Sequence, residues 1–497
     1  MITLEHVRLA ELDAIARDRR PLALDPVVIE RIAAGAAYVQ QQVSRGRQIY
    51  GVTTGFGALA ETLVPIEKAS ELQRRHVVSH ACGIGPWAPE AVARLTLLIK
   101  LLTFRSGHTG ITVATVERLI ELWNAGLVPA IPLLGTVGAS GDLAPLAHMA
   151  LPLLGLGHVH TGDRVVPAAE ALGDRAPRVL EAKEGLALTN GVQFISAIGA
   201  HCVLACAHLA RAADAIAAVS MQAFSAASDL AAARYHETSL HLERRTVAAN
   251  LRALLAGGNH ASLPTAVGSK QDPYSFRCIP QVHGAVRQSL GFATKVVEDE
   301  INGVSDNPLF FPEEDLVLCG GNLHGESIAM ALDFLAIGAS ELASISERRT
   351  YQLLSGRRGL PDFLVADAGL NSGLMVVQYT AAALVNHNKV LCTPASIDTI
   401  PTCQLQEDHV SMGGTSGVKL MTILENCARV LAIELLVAAQ ATSFTPGLVL
   451  SAPTAALIAA FRRHVPELEE DRVLHGDLEA ACRFVSNELH AFTDVLS

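Results

Sequence analysis

Gly135-Thr136-Val137-Gly138-Ala139-Ser140-Gly141-Asp142-Leu143-Ala144-Pro145-Leu146-Ala147-His148-Met149 decides how the chain is read. It follows an apolar, proline-punctuated run, Val128-Pro129-Ala130-Ile131-Pro132-Leu133-Leu134. At its centre stands Ala139-Ser140-Gly141. A glycine amide nitrogen can attack the carbonyl two residues back when the backbone bends tightly, and glycine permits that bend because it has no Cβ. Loss of water closes a five-membered ring, and loss of a second water from serine leaves an exocyclic methylidene. The product, a methylidene imidazolone, is an electrophile that no ordinary side chain provides. Taken alone, a Gly/Ser/Asp cluster between apolar runs reads as a loop. The glycines fit neither G-x-G-x-x-G nor a phosphate loop with Gly-Lys-Ser/Thr.

Further motifs stand in order along the chain. Upstream are Tyr50-Gly-Val-Thr-Thr-Gly-Phe-Gly57 and Ser79-His80-Ala-Cys-Gly83. Downstream come Lys183-Glu-Gly-Leu-Ala-Leu-Thr-Asn190-Gly, Gln271-Asp-Pro-Tyr274-Ser-Phe-Arg277-Cys-Ile-Pro-Gln281 and Ser305-Asp-Asn-Pro308. Gly320-Gly-Asn-Leu323-His324, Asn371-Ser-Gly373 and Gln406-Glu407-Asp-His-Val-Ser-Met412 complete the set. Together with the central stretch, this series resembles the histidine/phenylalanine/tyrosine ammonia-lyases over nearly the whole chain.

Composition bounds the alternatives. The chain has 497 residues, half of them hydrophobic and only 4% aromatic, so its core is built from small and aliphatic side chains. A net charge of −11 without a basic run argues against nucleic acid and for a small-molecule substrate. Nine scattered cysteines without a C-x-x-C pair read as a reduced, cytoplasmic protein. No signal-peptide pattern opens the chain. Val192 to Ala210 lacks Asp, Glu, Lys and Arg, yet Arg211 and Asp214 follow at once, so it is expected as a buried bundle helix rather than a membrane span. No metal is expected: His158 and His160 lack a third ligand, and His236-Glu-Thr-Ser-Leu-His241 is one residue too long for H-E-x-x-H.

Periodicity predicts helices over 67–78 and 90–127, a hairpin within 155–167, and long Ala-rich helices over 192–233, 281–303, 325–356, 371–390 and 413–441. The expected fold is all-α, with a long antiparallel central helix bundle. Residues 1–200 are expected as a loop-rich N-terminal domain carrying the electrophile, and 201–497 as the bundle with a C-terminal helical cap. The resemblance adds the fumarase/aspartase-like superfamily and a homotetramer with shared active sites.

The resemblance also implies roles. Ala139, Ser140 and Gly141 form the methylidene imidazolone with no external cofactor, and Asp142 and Asn190 assist ring formation. Tyr50 is the base for the β-proton, for which a phenol needs positive surroundings or hydrogen bonds to lower its pKa. Tyr274 closes over the site and assists proton transfer. Arg277 pairs with the substrate carboxylate through its planar guanidinium, and Gln271 orients substrate. Asn190 hydrogen-bonds the ring carbonyl or the carboxylate. His80, Leu323 and Glu407 shape the side-chain pocket. Gln-Glu-Asp-His resembles the loop of histidine-specific members, where phenylalanine and tyrosine members more often carry an amide. The implied reaction is therefore L-histidine to trans-urocanate and ammonia. Leu405 and Leu323 depart from the Asn and aromatic residue usual at their positions, and both are expected to reshape the pocket. A tyrosine or phenylalanine ammonia-lyase, a 2,3-aminomutase and an inactive helical scaffold are the competing readings. The Gly-Ser-Ser loop and Met-Pro-x-Lys of fumarase-like enzymes do not occur.

Overall fold

The computed structural model describes residues 1–162, 164–264, 271–494 and 496. The fold is all-α, with 59% of residues helical and only short strands. Two compact units are present. Unit 1 comprises Met1–Cys202, Ala293–Asp333 and Pro394–Val418; unit 2 comprises Val203–Phe292, Phe334–Thr393 and Lys419–Ser497.

In unit 1, helices start where side chains can satisfy their first amides. Asp25 accepts from the Val27 amide ahead of Pro26–Ser44, with proline at the first helical position. Thr112 does the same for Val113–Asn124. Glu90–Phe104 is buried at every position from Val92 to Phe104, including the ammonium-bearing Lys100. The strands are accessory. His158–Thr161 pairs antiparallel with Arg164–Pro167 as the hairpin signal predicts, and also with Val128–Pro129. Ile84–Trp87 pairs with Pro132–Leu134, which delivers the chain into the Gly135–Met149 stretch. Leu309–Phe311 and Leu316–Leu318 form a second hairpin.

The long helices run Gln193–Ala223, Ile279–Asn302, Glu326–Leu353, Met375–Leu391 and Gly413–Ser443. Gln193–Ala223 and Glu326–Leu353 are long and apolar enough to cross a membrane, but their most apolar windows are 72% and 67% buried, which marks them as core helices. Unit 2 buries several charged groups in pairs. Arg349 forks onto Glu434 at 2.5 and 2.8 Å with both side chains fully buried, and Asp214 accepts from His283 and Arg287.

Candidate active site

The Ala139-Ser140-Gly141 loop is held in a conformation that only part of it adopts freely. Gly138 and Gly141 have φ of +73° and +74°, and Ser140, which carries a Cβ, sits at +50°. Two neighbouring segments impose this shape. On one side Gly191 accepts from the Asp142 amide at 2.7 Å, and a Cβ on Gly141 would lie 2.0 Å from the Gly191 carbonyl oxygen. On the other side the Met412 amide donates to Val137 at 2.9 Å, and a Cβ on Gly138 would lie 2.0 Å from Ser411 Oγ. Ala139 packs against Val410 and Met412. Backbone therefore approaches where side chains are absent, and a serine is pressed into the left-handed region between two glycines.

Asp142 is fully buried. Its carboxylate accepts from Thr136 Oγ1 at 3.0 Å and from the Ile195 amide at 2.9 Å, tying the loop to the first turn of Gln193–Ala223. Burial pushes its pKa up to about 7, against the hydrogen bonds from Ile195 and Thr136. Thr136 Oγ1 also accepts from the Gly138 amide at 3.1 Å, a loop-bracing role that its sequence position gave no reason to suspect.

A cavity of about 950 Å³ opens over the loop, and Tyr50, His80, Ala139, Ser140, Asn190, Leu323 and Glu407 all line it. Glu407 Oε1 accepts from Ser140 Oγ at 2.9 Å, and its Oε2 accepts from Thr402 Oγ1 at 2.5 Å. His80 ends the helix Ala69–His80, with Nδ1 2.7 Å from the His76 carbonyl. A carbonyl only accepts, so Nδ1 carries the proton and neutral His80 offers Nε2 as an acceptor. Its ring centroid lies 4.0 Å from that of His76 at a tilt of 44°, and the His76 ring lies 3.9 Å from Phe56. Burial holds both histidines below the usual imidazole range.

Asn190 donates through Nδ2 to the Asn307 carbonyl at 2.9 Å, while its Oδ1 is buried without a partner among the described residues. Beneath it, Lys100 Nζ donates to the Asn190 carbonyl at 2.6 Å and to Gln193 Oε1 at 3.3 Å. Burial pushes Lys100 down to about 7 against the pull of Asp306, which is itself paired with buried Lys183 at 2.8 Å. A lone lysine inside the apolar run Leu97-Leu98-Ile99-Lys100-Leu101-Leu102 was the overlooked signal.

The single chain leaves the requirement on Tyr50 unmet, and the placement of Leu405 is corrected. Tyr50 Oη accepts from the Gly57 amide at 2.9 Å, but its pKa is raised, not lowered: burial is the largest influence, Cys403, Glu407 and Cys319 push the same way, and only that amide opposes them. Leu405 does not line the cavity. It is 71% exposed in a turn where Cys403, Gln404 and Leu405 all have positive φ. Leu323 does line it.

Gln271, Tyr274 and Arg277 are not in this cavity. They line another in unit 2, with Asp272, Arg357 and Arg358. Tyr274 is 71% exposed and carries the Arg277 guanidinium 4.5 Å over its ring, and Arg358 pairs with Asp272 at 2.6 Å.

The residues of unit 1 fit a ring built from the tripeptide. Gly141 has no Cβ where the Gly191 backbone closes in, Ser140 is already bent into a left-handed turn, and the orphaned Asn190 Oδ1 lines the same cavity.

Residues 7–463 match the model of the aromatic amino acid lyase family. The chain belongs to that family of carbon–nitrogen lyases. A histidine ammonia-lyase of Symbiobacterium thermophilum is 44% identical over 486 residues, 97% of this chain and 96% of the relative. The crystal structure of histidine ammonia-lyase from Trypanosoma cruzi is 38% identical, with a TM-score of 0.90 over 99% of this chain and 94% of that one. Tyrosine aminomutase from Streptomyces globisporus is 34% identical, with a TM-score of 0.94 over 100% and 99% of the two chains. These neighbours share the fumarase/aspartase-like all-α fold.

Proposed function

We propose that the chain is an ammonia-lyase that eliminates ammonia from L-histidine to give trans-urocanate, using a methylidene imidazolone formed from Ala139, Ser140 and Gly141 without external cofactor. One contact carries the substrate reading: Glu407 Oε1 touches the very hydroxyl that Ser140 would lose. Once that hydroxyl leaves as water, Glu407 has lost its donor and faces the cavity as an anionic acceptor. His80 Nε2 presents a second acceptor in the same cavity. A neutral substrate imidazole gives its single N–H to one of these acceptors and an imidazolium gives one to each, whereas a phenyl ring leaves both unpaired at a cost of ~1–3 kcal/mol each.

The formed ring supplies an electrophile that makes the substrate amine a better leaving group. The side chains do the rest. Tyr50 takes the β-proton through its phenolic oxygen, aided by the Gly57 amide. Because the single chain raises the Tyr50 pKa, further positive charge has to reach the cavity. The substrate ammonium and Arg277 from another copy can provide it. Arg277 pairs with the substrate carboxylate, Gln271 orients it, and Tyr274 assists proton transfer. Asn190 offers Oδ1 to the ring or substrate, held in place by Asn307 and by Lys100 at its carbonyl. Asp142 fixes the bend of the tripeptide through Thr136 and Ile195. With Gln271, Tyr274 and Arg277 in a different cavity from Ser140, a homotetramer with shared active sites is the assembly that completes the set. Nine cysteines, none of them in a disulfide among the described residues, support a cytoplasmic, reducing location.

The likeness to a tyrosine aminomutase favours a second reading, in which tyrosine is the substrate and the amine returns to the β-carbon. Ser140→Ala tests the reading of the site as a whole. The wild-type peptide should carry a two-water mass deficit and the protein should release ammonia and urocanate from L-histidine. The variant should show neither. An unmodified wild-type peptide, or a fully active variant, would exclude the self-formed electrophile.

A further inference from the structure

The fold assembles from two segments a group of potential metal ligands that no H-E-x-x-H spacing marks. His324 and Glu326 flank Gly325 where Glu326–Leu353 begins, and His409 arrives from the Gln406–Met412 loop. One ligand atom from each of the three lies within 4.8 Å of the others. His324 Nε2 and His409 Nδ1 are 3.4 Å apart, with the rings stacked at 5.4 Å. Two nitrogens bound to one tetrahedral zinc at its usual bond length are separated by ~3.3 Å. The pair already has that spacing.

A second observation points to a cation. Glu326 Oε2 is buried and has no hydrogen-bond partner among the described residues. A buried carboxylate oxygen without a donor is costly, and a metal ion is one of the few species that satisfies it. In the tautomers that keep each proton on the other ring nitrogen, His324 Nε2 and His409 Nδ1 turn their lone pairs toward one another. A cation between them would bond both lone pairs at once.

We propose that His324, Glu326 and His409 form a binding site for a divalent transition cation of the zinc type. Two imidazoles and a carboxylate are the ligands of a borderline-soft ion and do not suit calcium or magnesium. Three protein ligands leave a fourth position open. His409 is exposed, which gives the ion an entry path, and His324 and His409 also line the cavity above Ser140, so the ion would stand in its wall. The site is independent of the substrate assignment and is read by binding, not turnover.

The test is equilibrium dialysis of the full-length protein against Zn2+, with Co2+ substitution as the spectroscopic probe. One Zn2+ per chain is expected, with visible Co2+ d–d bands and no near-ultraviolet thiolate charge-transfer band. His409→Ala and the isosteric Glu326→Gln should each weaken binding by about tenfold or more, while helical content and Tm of the metal-free proteins stay unchanged. Should the histidine variant fail to fold, the glutamine variant decides alone. Absence of stoichiometric Zn2+, binding that both variants retain, or a thiolate spectrum from the cysteines would each overturn the assignment.

Discussion

Replacing Glu407 by glutamine isolates the charge that the substrate assignment depends on. The substitution keeps size and shape, and the amide oxygen can still accept from Thr402, whose hydroxyl now lies 2.5 Å from Oε2. What changes is the oxygen that faces Ser140 at 2.9 Å. A hydrogen bond to a carboxylate is worth ~1.5–3 kcal/mol and one between neutral groups ~0.5–1.5. The loss is therefore ~1–2 kcal/mol, or ~5–30-fold in kcat/KM for L-histidine. Tyrosine responds differently. A phenol hydroxyl donates or accepts by rotating, so it can meet an amide as readily as a carboxylate, whereas an imidazole N–H cannot reverse without moving its proton to the other ring nitrogen. Steady-state kinetics with L-histidine and L-tyrosine, the latter as a competing ligand if it is not turned over, give the comparison. Histidine should lose ~5–30-fold and tyrosine much less. Equal losses on both, or none on histidine, would refute the reasoning.

Gly141→Ala should block ring formation, because the new Cβ meets the Gly191 carbonyl oxygen at 2.0 Å and a left-handed φ adds ~1–2 kcal/mol; a peptide with the full two-water deficit would contradict this. Lys100 predicts a pH dependence of stability. Its pKa is depressed from 10.5 to about 7 in the folded chain, so the unfolded chain holds the extra proton between those values and stability rises with pH across that window. Lys100→Met should flatten this rise in urea unfolding at stepped pH, and an unchanged slope would remove the argument. Glu434→Gln strands the fully buried Arg349 and should cost ~3–5 kcal/mol; a loss well under 1 kcal/mol by denaturant titration would mean that water reaches the pair.

Much of the architecture was legible because it follows from local patterning. The hairpin at 158–167 and the long helices appear within a few residues of where apolar spacing puts them, except at ends set by distant partners. The helix expected over 192–233 stops at Ala223. Ser225 turns to φ +52° and the Ala227 amide goes to Asp272 at 2.8 Å, a capture that no helical period encodes. The helix expected from 371 begins at Met375 because Asp471 takes the amides of Ser372 and Gly373 at 2.7 and 2.8 Å. The site divides in the same way. The tripeptide and its glycines could be read, since close backbone approach leaves glycine as its trace. Lys100 beneath Asn190, Thr136 bracing the loop and the His324–Glu326–His409 group could not, because each depends on contacts between segments far apart in sequence. The surroundings of Tyr50 were not legible for a related reason: a motif names the base without saying what surrounds it.

The most direct measurement offers the purified protein L-histidine, L-tyrosine and L-phenylalanine separately, following released ammonia and the near-ultraviolet absorbance of the conjugated acid. The account predicts that histidine is preferred, with urocanate and ammonia formed in equal amounts. Preference for tyrosine or phenylalanine, or a β-amino acid without net ammonia release, would contradict it and transfer control of the pocket from Glu407 and His80 to Leu323.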